Sequence, residues 1–114
     1  PAMRCEVEVA YSEVSVPPVI NNREMAERFF PYIEAVTGPG RTTLVDEPSS
    51  FGSEDFAHIT ERVPGLMINL GAGAVPQGYD KAMHNPALVL DENALPYGAA
   101  IFVSCAENWL KEQK

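Results

Sequence analysis

The stretch Leu66-Met67-Ile68-Asn69-Leu70-Gly71-Ala72-Gly73 decides how the rest of the chain is read. Four of its first five side chains are apolar, which fits a strand covered on both faces rather than one with a wet side. Two glycines close it. A strand of that kind needs helices over both its faces, so the expected class is an α/β layer structure.

Working outward toward the N-terminus, Val63-Pro64-Gly65 ends a helix whose N-cap is Ser53. That helix runs through Phe56, Ile59 and Val63, with Glu54 and Asp55 in the first turn, where the positive end of the helix dipole favours carboxylates. A loop at Pro48-Ser49-Ser50 and a short strand over residues 42–45 come before it. Further upstream Asn22 reads as an N-cap. Met25, Ala26, Phe29, Phe30, Ile33 and Val36 follow at spacings of three and four up to Gly38-Pro39-Gly40. Pro31 lies well inside this helix, where its missing donor predicts a kink or two short helices. Residues 4–11 alternate, with Cys5, Val7, Val9 and Tyr11 on one face and Glu6, Glu8 and Ala10 on the other, as in a strand with one wet face. The alternation shifts at Val14 and Val16 and stops at Pro17-Pro18.

On the C-terminal side, a loop passes through Pro76, Gly78 and His84-Asn85-Pro86. Asp91 then caps a last helix whose apolar face is Leu95, Ala99, Phe102, Val103, Ala106 and Leu110. The order is strand, helix, strand, helix, strand, loop, helix. An all-buried strand needs sheet neighbours and these elements offer few, so the sequence reads as part of a larger fold.

The chain has 114 residues, with 8 Lys+Arg against 16 Asp+Glu and a formal net charge of −8. Its 46% hydrophobic content excludes disorder of the whole and predicts a core. The negative charge cannot supply the phosphate contacts that dominate nucleic-acid affinity, and anionic lipid would repel it. No run approaches the ~20 apolar residues of a spanning helix, and the first residues lack the pattern of a signal peptide, so the expected compartment is the cytoplasm. Cys5 and Cys105 stand at opposite ends, as reduced packing residues.

Three constellations bear on chemistry. Gly71-Ala72-Gly73 lacks the third glycine of a dinucleotide fingerprint, position 76 being Pro. His58 falls within a helix and reads as a partly exposed helix residue. His84 sits at the end of a loop beyond the buried strand, where α/β folds place their chemistry, and Pro86 restrains the segment that follows. His84 is therefore the candidate metal ligand or catalytic group, the alternative being a purely structural hydrogen bond. Glu54 and Asp55 stabilise a helix start by roughly 0.3–1 kcal/mol each; metal ligation is their second reading. A complete zinc site needs three or four ligands, more than these residues supply.

Taken together, Gly52-Ser53-Glu54-Asp55-Phe56-Ala57, Val63-Pro64-Gly65 leading into Leu70-Gly71-Ala72-Gly73, and His84-Asn85-Pro86 with Asp91-Glu92-Asn93-Ala94-Leu95-Pro96-Tyr97-Gly98-Ala99-Ala100 carry a likeness. In order and spacing they resemble the C-terminal part of the metal-dependent amidohydrolases related to hippurate hydrolase, indole-acetyl-amino-acid hydrolase and the aminoacylase carboxypeptidases. The resemblance implies an α/β, metallopeptidase-like catalytic domain interrupted by an inserted α+β lid that makes a dimer contact. Residues 1–16 would be the last strand of the lid and residues 17–114 the C-terminal portion of the catalytic domain. It further implies two divalent metal ions, zinc or manganese, acting on an N-acyl amino acid or small peptide, with His84 as the last metal ligand. That family's Cys-Gly-His-Asp segment, its Glu-Glu pair and its other His have no counterpart here. They would lie in a missing N-terminal portion of the same protein, leaving this chain inactive alone, with no catalytic residue of its own. Ser53, Glu54, Asp55, Gly71 and Gly73 fall near the site on this map without an assigned role. The competing expectations are a non-catalytic binding or scaffold module that keeps the C-terminal fold, and an unrelated small α/β domain.

Overall fold

Asn22 sets where the first helix begins. In the computed structural model, which describes residues 6–12, 15–45 and 52–113, its side-chain oxygen accepts the Met25 N–H at 2.8 Å and helix α1 follows over Arg23–Thr37. A cap of this kind contributes about 1 kcal/mol. Gly38, at φ 89°, ends the helix and donates its N–H to the Glu34 carbonyl at 2.8 Å. Pro31 does not divide the helix: of the two outcomes expected there, a kink or two short helices, the second does not occur, α1 being continuous. Pro31 is exposed, and the apolar face around Ile33, packed on the last helix, offsets its lost hydrogen bond.

That last helix, α3, covers Ala94–Glu112. Its Ile101 and Cys105 are buried against Ile33, with Phe29, Tyr32 and Val36 around them. Polar contacts frame the seam. Ser104 Oγ donates to the Tyr32 carbonyl at 3.0 Å, and Glu112 accepts from both Arg28 Nε, at 2.6 Å, and the Tyr32 hydroxyl. The face expected to be buried is the other one: Leu95 is 68% exposed and Phe102 77%. α3 is apolar almost all round, so helical spacing yields two stripes, and α1 took the one that holds Ile101 and Cys105. Nor does Asp91 cap this helix. Asn93 occupies the N-cap, and the Asp91 carboxylate accepts the Asn93 N–H at 3.0 Å, ordering the turn ahead of the helix.

Between these helices the chain is less regular than expected. Helix α2 is a single turn, Ala57–Thr60, with Phe56 rather than Ser53 at its N-cap. Tight turns lead into it, from Ala57 N–H to Glu54 O and from His58 N–H to Asp55 O, both at 3.1 Å, and turns continue to Val63. Among the described residues no strand forms. A strand is defined by its ladder, and residues 42–45 and 66–70 find no laddered neighbour; they flank an open groove of about 390 Å³ against Phe30, Ile33 and Ile101. Residues 6–12 are exposed and also without a ladder. Arg4 and Cys5 of the expected first strand, Val14 at its phase change, and the Pro48-Ser49-Ser50 loop lie outside the described residues.

Residues 66–70 are nevertheless held. Asn21 brackets Met67 from both sides, with Nδ2 donating to the Met67 carbonyl at 2.9 Å and Oδ1 accepting the Met67 N–H at 2.7 Å. Asn22 N–H adds a bond to the Gly65 carbonyl at 2.9 Å. Gly98 of α3 lets Leu70 approach so closely that a Cβ there would stand 3.3 Å from Leu70 Cδ2.

The expected core is small. Among the described residues only Ile33, Ala57, Ile101 and Cys105 are buried hydrophobics, and the radius of gyration, 18.7 Å, exceeds the roughly 13 Å of a compact domain of this length. Among the described residues no helix is long and apolar enough to cross a membrane.

Two outcomes follow. In Asn21→Ala the Met67 amide should exchange with solvent at least about tenfold faster, since two hydrogen bonds worth about 1 kcal/mol each are lost. An unchanged Met67 exchange rate would show that another contact holds the segment. Burial pushes the Cys105 thiol above its ordinary range, so it should be alkylated at least about tenfold more slowly in the folded Cys5→Ser variant than in urea. The unfolded thiol ionises first, so this contribution to stability is complete below the ordinary thiol range and declines as pH rises above it.

Candidate functional site: the loop that presents His84

Between the groove-lining segment and α3 the chain makes one long excursion. Its neck is closed where the Asp91 N–H donates to the Ala72 carbonyl at 2.9 Å. Asp91 Oδ1 also accepts from Asn93 Nδ2 at 2.8 Å, tying the loop's exit to the start of α3. Inside the neck the 3-10 turn Val75–Gln77 reverses the chain, with Gly78 N–H donating to the Val75 carbonyl at 3.0 Å. Gly73, at φ 121°, has the Tyr79 ring against it. A Cβ at this position would lie 2.3 Å from Tyr79 Cγ, so neither the conformation nor the space admits another residue.

His84 follows in a turn closed by Asn85 N–H to the Ala82 carbonyl at 3.1 Å. Its φ is 68°, and it is the one non-glycine residue with positive φ among the described residues. That conformation costs a residue with a Cβ about 1–2 kcal/mol, and the third position of such turns is ordinarily Gly or Asn. The chain downstream is restrained: Asn85 Oδ1 accepts the Ala87 N–H at 2.8 Å and Pro86 confines Asn85 to extended geometry. The imidazole is exposed, and no hydrogen bond among the described residues engages it. It is a donor held out from the fold in a strained turn.

The other sequence-derived candidates are placed differently. Ser53, Glu54 and Asp55 are exposed on the approach to α2, where Glu54 Oε1 accepts the Phe56 N–H at 3.3 Å. His58 Nδ1 faces Glu61 Oε2 at 3.9 Å on the helix surface, an exposed pair of little energetic weight. Gly71 lines an open pocket of about 320 Å³ with Thr37, Arg41, Asp91, Asn93 and Tyr97. Among the described residues no three of His, Cys, Asp and Glu stand together as a metal site. An exposed imidazole can serve as one metal ligand, and among the described residues no further donors stand beside His84 to complete a set. Sequence reading missed Tyr79, whose partner Gly73 offers no side chain to mark the contact. It missed Asn21 as well, whose long-range partner leaves no local mark.

Comparison with known proteins bears on the whole chain. The family model described as Peptidase family M20/M25/M40 matches residues 4–108. Over 98 residues the chain is 35% identical to IAA-amino acid hydrolase ILR1-like 2 of Arabidopsis thaliana, covering 86% of this chain and 22% of that protein. It is 30% identical over 92 residues to an N-acetyldiaminopimelate deacetylase of Streptococcus suis, covering 81% and 22% respectively. It is also 36% identical over 89 residues to a putative glutamate–cysteine ligase 2-3 of Rhodococcus jostii, covering 78% of this chain and 11% of that protein. The chain thus spans about a fifth or less of the length of these relatives. No solved structure matches it. With the family model matching across residues 4–108, from the exposed N-terminal segment through the His84 loop to α3, the chain belongs to Peptidase family M20/M25/M40.

Proposed function

We propose that this chain is the C-terminal portion of an amidohydrolase that cleaves the amide bond of an N-acyl amino acid or small peptide, and that His84 is its metal ligand in this segment. The observation that carries the reading is the exposed, unengaged imidazole of His84, held at φ 68° within a loop pinned at its neck. Strain of that size persists where a site needs the side chain more than the turn does. The names of the two hydrolytic relatives, acting on an indole-acetyl conjugate and on an N-acetylated amino acid, support an amide substrate.

Two divalent ions, zinc or manganese, would supply water activation and polarisation of the amide carbonyl in the assembled site. This chain's own contribution is to present one exposed imidazole from a turn in which its φ is 68°. The remaining ligands and the acid–base glutamate would belong to the rest of the protein. On this reading residues 17–114 are part of an α/β catalytic domain, and residues 42–45 and 66–70 take their sheet neighbours from that missing portion. Residues 1–16 supply a strand to a lid that mediates dimerisation. A cytoplasmic location completes the proposal.

A second reading, a binding or scaffold module without catalysis, is favoured by the outward apolar face of α3, where Leu95, Phe102, Val103 and Leu110 stand exposed.

The 114-residue chain, supplied with zinc or manganese, should hydrolyse no N-acetyl or N-benzoyl amino acid; turnover would overturn the division of ligands proposed. In the full-length protein, His84→Gly should lose one metal ion per protomer and at least about 100-fold in kcat/KM. Glycine suits the turn, so unfolding stability should move by less than about 1 kcal/mol. Full metal content in that variant would overturn the ligand role of His84.

A further inference from the structure

We propose that Tyr79 is a positioning residue for His84, its ring clamped on the bare backbone at Gly73 so that the turn carrying the imidazole is fixed from its upstream side. The inference rests on His84 being a metal ligand. Three observations point to it. The neck bond between Asp91 and Ala72 closes the loop at its base, yet His84 lies many residues from either end. A loop tied only at its base leaves such a residue free to wander, and the ordering cost rises with the length left untied. A second tie is needed.

Tyr79 supplies it. Over residues 71–90 only Ala72, Tyr79 and Leu88 are even partly shielded from solvent, and the others are exposed. Ala72 is the neck and Leu88 follows the Asn85-Pro86 turn, where its N–H donates to the Asn85 carbonyl at 3.0 Å. Tyr79 is thus the anchor on the upstream side of His84 as Leu88 is on the downstream side. Its ring lies where a Cβ on Gly73 would stand, at 2.3 Å from Cγ and 2.5 Å from Cδ2, so the two positions are sterically complementary. The backbone supports the same closure, with the Tyr79 N–H directed at the Ala74 carbonyl at 3.4 Å. The φ of 68° at His84 belongs to the strained conformations that survive where their surroundings over-determine them, and the anchored Tyr79 supplies one such restraint upstream. No hydrogen bond among the described residues engages the Tyr79 hydroxyl; the contact is made by the ring.

The test is metal titration of the full-length protein in four variants, read as affinity for zinc alongside the unfolding temperature of the metal-free form. Tyr79→Ala should weaken the His84-dependent ion by about 10–100-fold, the range for residues that orient a ligand, with the metal-free unfolding temperature little changed. Tyr79→Phe should retain wild-type affinity, because the ring and not the hydroxyl makes the contact. Gly73→Ala, which keeps the ring but displaces it and also strains the backbone at φ 121°, should weaken zinc at least as much as Tyr79→Ala does. Wild-type zinc affinity in Tyr79→Ala or Gly73→Ala, with the ion lost in His84→Gly, would overturn the role of Tyr79. Retention of the ion in His84→Gly would instead overturn the ligand reading beneath it.

Discussion

The bracket that Asn21 places on Met67 is the contact on which the rest of the arrangement depends. An asparagine side chain carries one amide, with a donor and an acceptor side by side, and here it meets both backbone groups of Met67 as a neighbouring strand would. Asn22, the next residue, caps α1 and also reaches the Gly65 carbonyl. Two consecutive residues, Asn21 through its side chain and Asn22 through its side chain and its backbone N–H, thus join the start of α1 and residues 65–67. Residues 66–70 lead directly into the loop that carries His84. Without that bracket an unladdered apolar run would have backbone groups with only water to satisfy them.

The second constraint is the shortage of surface to bury. α1 and α3 make one seam around Ile33, Ile101 and Cys105, and each seam residue contributes roughly 1.5–3 kcal/mol by burial. Three such residues hold two helices together but do not close a globule, which is why Phe102 and Leu95 stay exposed and a groove stays open between residues 42–45 and 66–71. The Arg28–Glu112 pair at the end of the seam is half-exposed and contributes little beyond fixing the register. A helix apolar on two faces and an apolar run without a ladder are the same physical fact seen twice. Both carry more hydrophobic surface than this chain has partners for, in keeping with relatives of which it spans about a fifth or less.

That fact also explains how much was legible in the sequence. Features fixed by neighbours within a few residues were readable: the Asn22 cap, the Gly38 stop, the extent of α1, and the loop that sets His84 before Asn85-Pro86. Features fixed by distant partners were not. Helical spacing along α3 identifies apolar stripes but carries no information on which of two faces α1 covers, and the face read as core is the exposed one. The run 66–70 has the composition of a buried strand, but composition cannot supply a ladder. Ser53 has the chemistry of a cap, yet the turns from Glu54 and Asp55 delay the helix until Ala57. At the candidate site, His84 stood out as a candidate from its place beyond an apolar run and two residues before Pro86. Tyr79 did not, because its partner is a glycine whose role is to offer no side chain.

The strain at His84 connects these constraints. A turn that wants glycine at its third position but holds histidine gives up about 1–2 kcal/mol, a noticeable share of what a seam of three buried residues provides. The loop tolerates it because it is tied at the neck by Asp91, upstream by Tyr79 on Gly73, and downstream by Asn85 and Leu88. Each tie is local and weak, but together they remove the alternatives into which the turn would relax. These ties leave the turn fewer alternatives than its exposure suggests. The segment leading into the loop is held the same way, residues 65–67 being fixed by the Asn21 amide and the Asn22 N–H where a buried strand would have used a ladder.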